Sequence, residues 1–129
     1  MGMLCNLAFL AGRVFIAAIF IYDATLAVRF PLDNATYLEN FGVPGLMLWP
    51  AAFLQFFGGL AIVAGFHTRL VALAFACFCL LTALIFHHDF ADTNELIQFG
   101  KDFGLAGGFL FLAAAGAGAW SLDALSTRR

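Results

Sequence analysis

Seven polar side chains stand in or at the edges of long apolar runs: Arg13, Asp23, Gln55, His87, His88, Lys101 and Asp102. A guanidinium and a carboxamide facing each other among apolar groups either clamp two helices together or line a polar pocket for a ligand head group or redox cofactor. Histidine, aspartate and lysine gathered at a membrane boundary suit a proton relay to a quinone, because an unperturbed imidazole titrates close to neutral pH. The plain alternative is an ordinary wet rim of the membrane. His87, His88 and Asp89 are also of ligand type for a divalent metal. Adjacent residues rarely aim at one ion unless a loop wraps round it, so no metal site is expected. Nor do histidines pair across two helices at matching depth for a haem, since His67 falls at one end of the apolar spans and His87 and His88 at the other. No nucleophile with its base is recognisable, which favours a chain without catalytic activity of its own.

Such residues need a frame, and the composition says what kind. Of 129 residues, 64% are hydrophobic and 11% charged, against ~45–50% and roughly a quarter in a soluble domain. A domain of this size leaves about a third of its unfolded surface exposed, too much to hide that apolar content. A soluble globular enzyme and a disordered tail are therefore excluded. A net charge of −2 with six basic residues also excludes a nucleic-acid partner, which demands a basic face. The chain reads as one integral membrane domain over residues 1–129, with the lipid bilayer as its solvent. Cys5, Cys77 and Cys79 lie in apolar runs and are odd in number, so no disulfide framework follows.

Charges cut the sequence into four spans at about 4–28, 45–65, 69–87 and 101–122, each near the ~20 residues a crossing helix requires. No run alternates as a barrel strand does. The expected fold is all-α, a four-helix membrane bundle with short interfacial helices in its two outer loops. The first of these follows Pro31, is capped by Asp33 or Asn34, and lays Tyr37, Leu38 and Phe41 on the membrane. The second is capped by Asn94 and carries Leu96, Ile97 and Phe99. Arg13 interrupts the first apolar run rather than preceding it, which argues against a cleaved signal peptide. With four spans, Arg69, Arg128 and Arg129 share one side and Arg29 and Lys101 the other. The positive-inside rule then puts both termini in the cytoplasm.

Depth follows from the helical rise. Arg13 lies nine residues into the first span, about 13 Å at 1.5 Å per residue. Gln55 lies eleven residues into the second from the opposite side, about 16 Å by the same rise. In a ~30 Å hydrocarbon core the two meet near the midplane, where an Arg13–Gln55 hydrogen bond is expected; snorkelling of Arg13 to the cytoplasmic surface is the alternative. Asp23, His87, His88, Lys101 and Asp102 form a polar ring at the outer boundary. Gly58 and Gly59 in the second span, and Gly104, Gly107 and Gly108 in the fourth, read as close-approach positions for helix packing.

These motifs, in order, resemble the DoxX family. The resemblance rests on Gly12-Arg13, Tyr37-Leu38 with Phe41-Gly42-Val43-Pro44, Gln55-Phe56-Phe57-Gly58-Gly59, Gly65-Phe66-His67-Thr68-Arg69-Leu70, and Lys101 to Gly108. The closing run from Gly116 to Asp123 extends it over nearly the whole chain. It implies a four-helix, multi-pass protein of the bacterial inner membrane. The resemblance brings in relatives some of which are subunits of a thiosulfate:quinone oxidoreductase, and one that serves as a membrane anchor in a thiol-redox complex. For this chain it implies an accessory or anchoring subunit with a protein partner or a second copy, or else a quinone-linked redox subunit. No cofactor is firmly implied, quinone being the one that the redox alternative would use. Five positions depart from the family pattern: Gln55 where a glutamate is common, Asp102 where an asparagine is, Ala24 and Ala27 where glycine and lysine tend to stand, and the added Asp23.

Overall fold

A computed structural model describes residues 2–127, so Arg128 and Arg129, two of the basic residues in the orientation count, lie outside the described part. Four helices are long and apolar enough to cross a membrane. Helix α1 is Met3–Arg29 and α2 is Pro31–Asn40. Helix α3 runs over Gly45–Ala64, α4 over Thr68–Phe86, α5 over Thr93–Ala115, and a short α6 over Leu122–Ser126. No strand occurs among the described residues. In lipid the backbone must satisfy its own hydrogen bonds, and helices do so within each span.

The first three spans fall within a residue or two of the expected bounds, and the fourth does not. It begins eight residues earlier and ends seven earlier than 101–122. Nothing between Thr93 and Phe103 breaks a helix, so the separate loop helix expected there is simply the first part of α5. Its cap is Asp92, whose carboxylate accepts from the Asn94 N–H at 2.9 Å, rather than Asn94 itself. The far end is set by Gly116, where φ is +84° and an L side chain would be strained.

Helix α2 exists where expected, but Pro31 opens it and neither Asp33 nor Asn34 caps it. The Asn34 amide instead donates back to the Phe30 carbonyl at 2.7 Å. Its apolar face turns onto the bundle: Leu38 packs against Ala27, Leu48 and Ala52, while Tyr37 stacks on Phe86 at 5.5 Å between centroids.

The main core joins all four spans through Ala17 and Phe20 of α1, Ile62 of α3, Ala72, Phe75, Ala76 and Cys79 of α4, and Ala106 and Phe109 of α5. Phe75 and Phe109 stack 4.8 Å apart, and Phe20 tilts against both. Small residues beside rings let helices approach while the rings fill the gap. Gly59 is the tightest such point, since a Cβ there would stand 2.6 Å from Ile21 Cγ1 of α1. Gly58 lies against the Phe75 ring and Gly108 against Ile16. Gly104 and Gly107 differ from the packing role read in the sequence, for within this bundle a Cβ on either would meet nothing within 4 Å.

Gly59→Val is therefore expected to force α1 and α3 apart and cost about 1–3 kcal/mol. Gly107→Ala should be neutral or slightly stabilising. Thermal unfolding of both variants in one mild detergent distinguishes them, and equal melting would contradict the packing described.

Candidate functional site

The polar residues separate into two groups at opposite ends of the bundle. At the end carrying both termini, Arg13 is 1% exposed. Its Nη1 donates to the Val63 carbonyl at 3.2 Å and its Nη2 to the Trp120 carbonyl at 2.5 Å. One side chain of α1 thereby ties the last turn of α3 to the segment after α5. Gly65, in the left-handed region at φ +70°, backs directly onto Arg13 and Ser121, with no room for a Cβ.

The expected Arg13–Gln55 bond does not form, and the reason is geometric. Val63 lies eight residues beyond Gln55 on α3, about 12 Å along the axis. Helix α1, at 27 residues, is longer than α3, at 20, so counting depth from each helix start misaligns them. Side chains also lean toward their own helix N-terminus, and α1 and α3 start from opposite ends. Arg13 leans toward the terminal face while Gln55 leans away from it. Gln55 itself is half-buried in a π-helical turn at Leu54–Gly58.

Two further ties complete this end, and neither was read from the sequence. Asp123 accepts from the backbone N–H of His67 at 2.8 Å and of Thr68 at 2.9 Å, capping the start of α4. Arg69 donates to the Ala113 and Ala114 carbonyls at 3.1 and 2.8 Å, satisfying the end of α5. The Asp123 N–H returns to the Gly65 carbonyl at 2.8 Å. Burial alone would raise the Asp123 pKa, but the Thr68 and His67 N–H bonds, with the nearby His67 side chain, hold it below the usual carboxylate value.

At the opposite end, four of the seven sequence candidates line one cleft of about 770 Å³. Asp23 enters from α1, His87 from the end of α4, and Lys101 and Asp102 from α5, joined by Gln98. His87 Nδ1 lies 3.0 Å from Glu95 Oε2 and its Nε2 4.0 Å from Asp102 Oδ2. The Thr82 hydroxyl sits 3.3 Å from the same Asp102 oxygen. Gln98 and Glu95 had been assigned to a loop helix, which hid their place on the cleft side of α5. His88 lies outside this group, exposed and edge-on to Phe41. Among the described residues no three His, Cys, Asp or Glu side chains stand close enough to hold a metal ion. The arrangement presents hydrogen-bonding and charged groups to whatever enters from the lipid side between α1 and α5.

Comparison with known proteins agrees with the motif order. The family described as DoxX matches residues 8–88, more than half of the chain. Inner membrane protein YqjF of Escherichia coli K12 is 40% identical over 129 residues, covering 100% of this chain and 99% of the relative. Inner membrane protein YphA of the same organism is 34% identical over 121 residues, covering 88% and 86%. No solved structure matches significantly.

The lowered Asp123 pKa sets a pH dependence. Its stabilisation is complete above the unfolded carboxylate value near ~4 and is lost as pH falls through the lower folded value. Asp123→Asn should lower stability at pH 7 by about 1 kcal/mol and flatten the acid limb of a melting-temperature profile from pH 7 to 3. An acid limb unchanged by the substitution would contradict the cap.

Proposed function

The chain belongs to the DoxX family, and on that footing we propose that it is a multi-pass inner-membrane protein acting as an accessory or anchoring subunit of a membrane-associated complex. Both named relatives are inner membrane proteins of Escherichia coli, which supports the location. The single observation that carries the accessory reading is the use made of Arg13. The most deeply buried cation of the chain bonds to backbone carbonyls of Val63 and Trp120 and so serves the bundle rather than a ligand. Partner contact is assigned to the aromatic face of α3, where Phe57 packs against both Phe53 and Phe56, and Phe53 and Phe57 are more than half exposed. The partner is a second copy or another subunit. The start of α1 and the short α6 lie at the Arg69 end of the bundle, which the positive-inside rule assigns to the cytoplasm.

A second reading makes the chain a quinone-linked redox subunit of thiosulfate:quinone oxidoreductase type. The cleft lined by Asp23, His87, Lys101 and Asp102 favours it, since its lining groups are of types able to exchange protons. Arg13 and Gln55 would take no part, since neither lines that cleft.

A photo-crosslinking residue at Phe57 should capture one polypeptide of constant mass across independent membrane preparations, and the same probe at Phe111 should capture none. No adduct at Phe57, together with stoichiometric quinone extracted from the purified protein, would replace the anchoring reading by the redox one. A fluorescent protein fused at the C-terminus should fluoresce in cells and an alkaline phosphatase fused there should be inactive. The reverse pattern would invert the orientation.

A further inference from the structure

The seam between α1 and α5 is closed at one level and open above and below it. Phe20 meets Phe109 at 5.5 Å, and Ile16 fills the space beside Gly108. Toward the termini a cavity of about 420 Å³ opens between Ala8 and Gly12 on one wall and Leu112 and Ala115 on the other. Toward the opposite end lies the cleft of about 770 Å³ already described, and Ile16 borders both. From Ala8 to Asp23 is fifteen residues, or about 22 Å of groove. The closed level at Ile16 and Gly108 divides that length, and the part from Ile16 to Asp23, seven residues or about 10 Å, holds a head group and the first carbons of one acyl chain.

The polar end has a definite charge pattern. Asp23 and Lys101 border the cleft from opposite helices, and neither makes a side-chain hydrogen bond or ion pair among the described residues. Asp23 lies six residues inside the end of α1 and Lys101 eight inside the start of α5, about 9 and 12 Å below those ends. Charged groups at such depth call for polar partners. Two carboxylates, Asp23 and Asp102, face one ammonium, Lys101, so the complement is a head carrying both signs. Its cation must donate hydrogen bonds to carboxylates and its anion must accept from Lys101. A quaternary ammonium has no N–H to give, a purely anionic head meets two carboxylates, and a neutral quinone ring answers only the lysine.

We propose that the α1–α5 cleft is a lipid site for a phospholipid with a primary-ammonium head, the phosphoethanolamine type. One acyl chain leaves the cleft along Ile19 and Leu105, the phosphate sits at Lys101 and the ammonium at Asp23 and Asp102. This site is separate from the α3 face assigned to a partner and stands whether or not the anchoring reading does.

Native mass spectrometry of the delipidated full chain, titrated with phosphatidylethanolamine, phosphatidylcholine and phosphatidylglycerol of identical acyl chains, tests it. The wild type should retain the ethanolamine lipid about tenfold more tightly than either other lipid, a gap of about 1.4 kcal/mol. Asp23→Asn should abolish the preference over choline while the variant elutes as a folded monodisperse species, and Lys101→Ala should weaken all three lipids. Gly104→Phe, placed where the cleft has open space, should block binding without removing a charge. Equal retention of the three lipids, preference for the glycerol head, or stoichiometric displacement by a short-chain ubiquinone in the same assay would overturn the proposal.

Discussion

Where four antiparallel helices end in a membrane protein, their last carbonyls and first N–H groups have no intrahelical partner, and lipid offers none. The rest of this fold depends on how the terminal face meets that requirement. Arg13 takes the carbonyls of Val63 and Trp120, Arg69 those of Ala113 and Ala114, and Asp123 the N–H groups of His67 and Thr68. Each of these three charged side chains reaches an element remote from it in sequence. Together they join α1, α3, α4 and α5 at one end. Cation at helix C-terminus and anion at helix N-terminus is also the favourable sense with respect to the helix dipoles.

Firm closure at that end leaves the other free to differ. Below the stacked rings of Phe20, Phe75 and Phe109 the helices are held by side-chain ties. Between α1 and α5 a cavity of about 420 Å³ opens below the rings, and above them the two helices part where Asp23, His87, Lys101 and Asp102 line the gap. Only the Asp102–His87–Glu95 side of that group is bonded internally. A second aromatic cluster, Tyr37, Phe41 and Phe86, packs at the far end beside α2, but the α1–α5 side there has no such filling. Polar groups carry the terminal face, and at the far end they remain available.

Much of this was legible in the sequence. Four predominantly apolar stretches of crossing length gave the number of helices and the all-α class, because hydrocarbon thickness is a strict ruler. A short helix beside Pro31 and the gathering of Asp23, His87, Lys101 and Asp102 at one boundary followed from local chemistry and from the alternation of antiparallel spans. The partners of Arg13 were not legible. They are backbone carbonyls, which carry no residue signature, and one lies 107 positions away. Depth counted from helix starts assumed helices of equal reach, and α1 is seven residues longer than α3. The start of α5 was missed because its first turns, from Thr93 to Asp102, are polar enough to read as loop. Asp123 looked like an unremarkable acid until the fold brought it beside the 65–68 turn.

The terminal tie is tested most directly by a cycle of two changes: Arg13→Met, and removal of the chain from Trp120 onward. If Arg13 acts largely through the Trp120 carbonyl, the two losses of unfolding free energy are strongly non-additive. Arg13→Met should then cost roughly half as much, or less, in the shortened chain as in the full one. The same cost in both backgrounds would show that the guanidinium does not hold the C-terminal segment, and the account of this fold would fail at its centre.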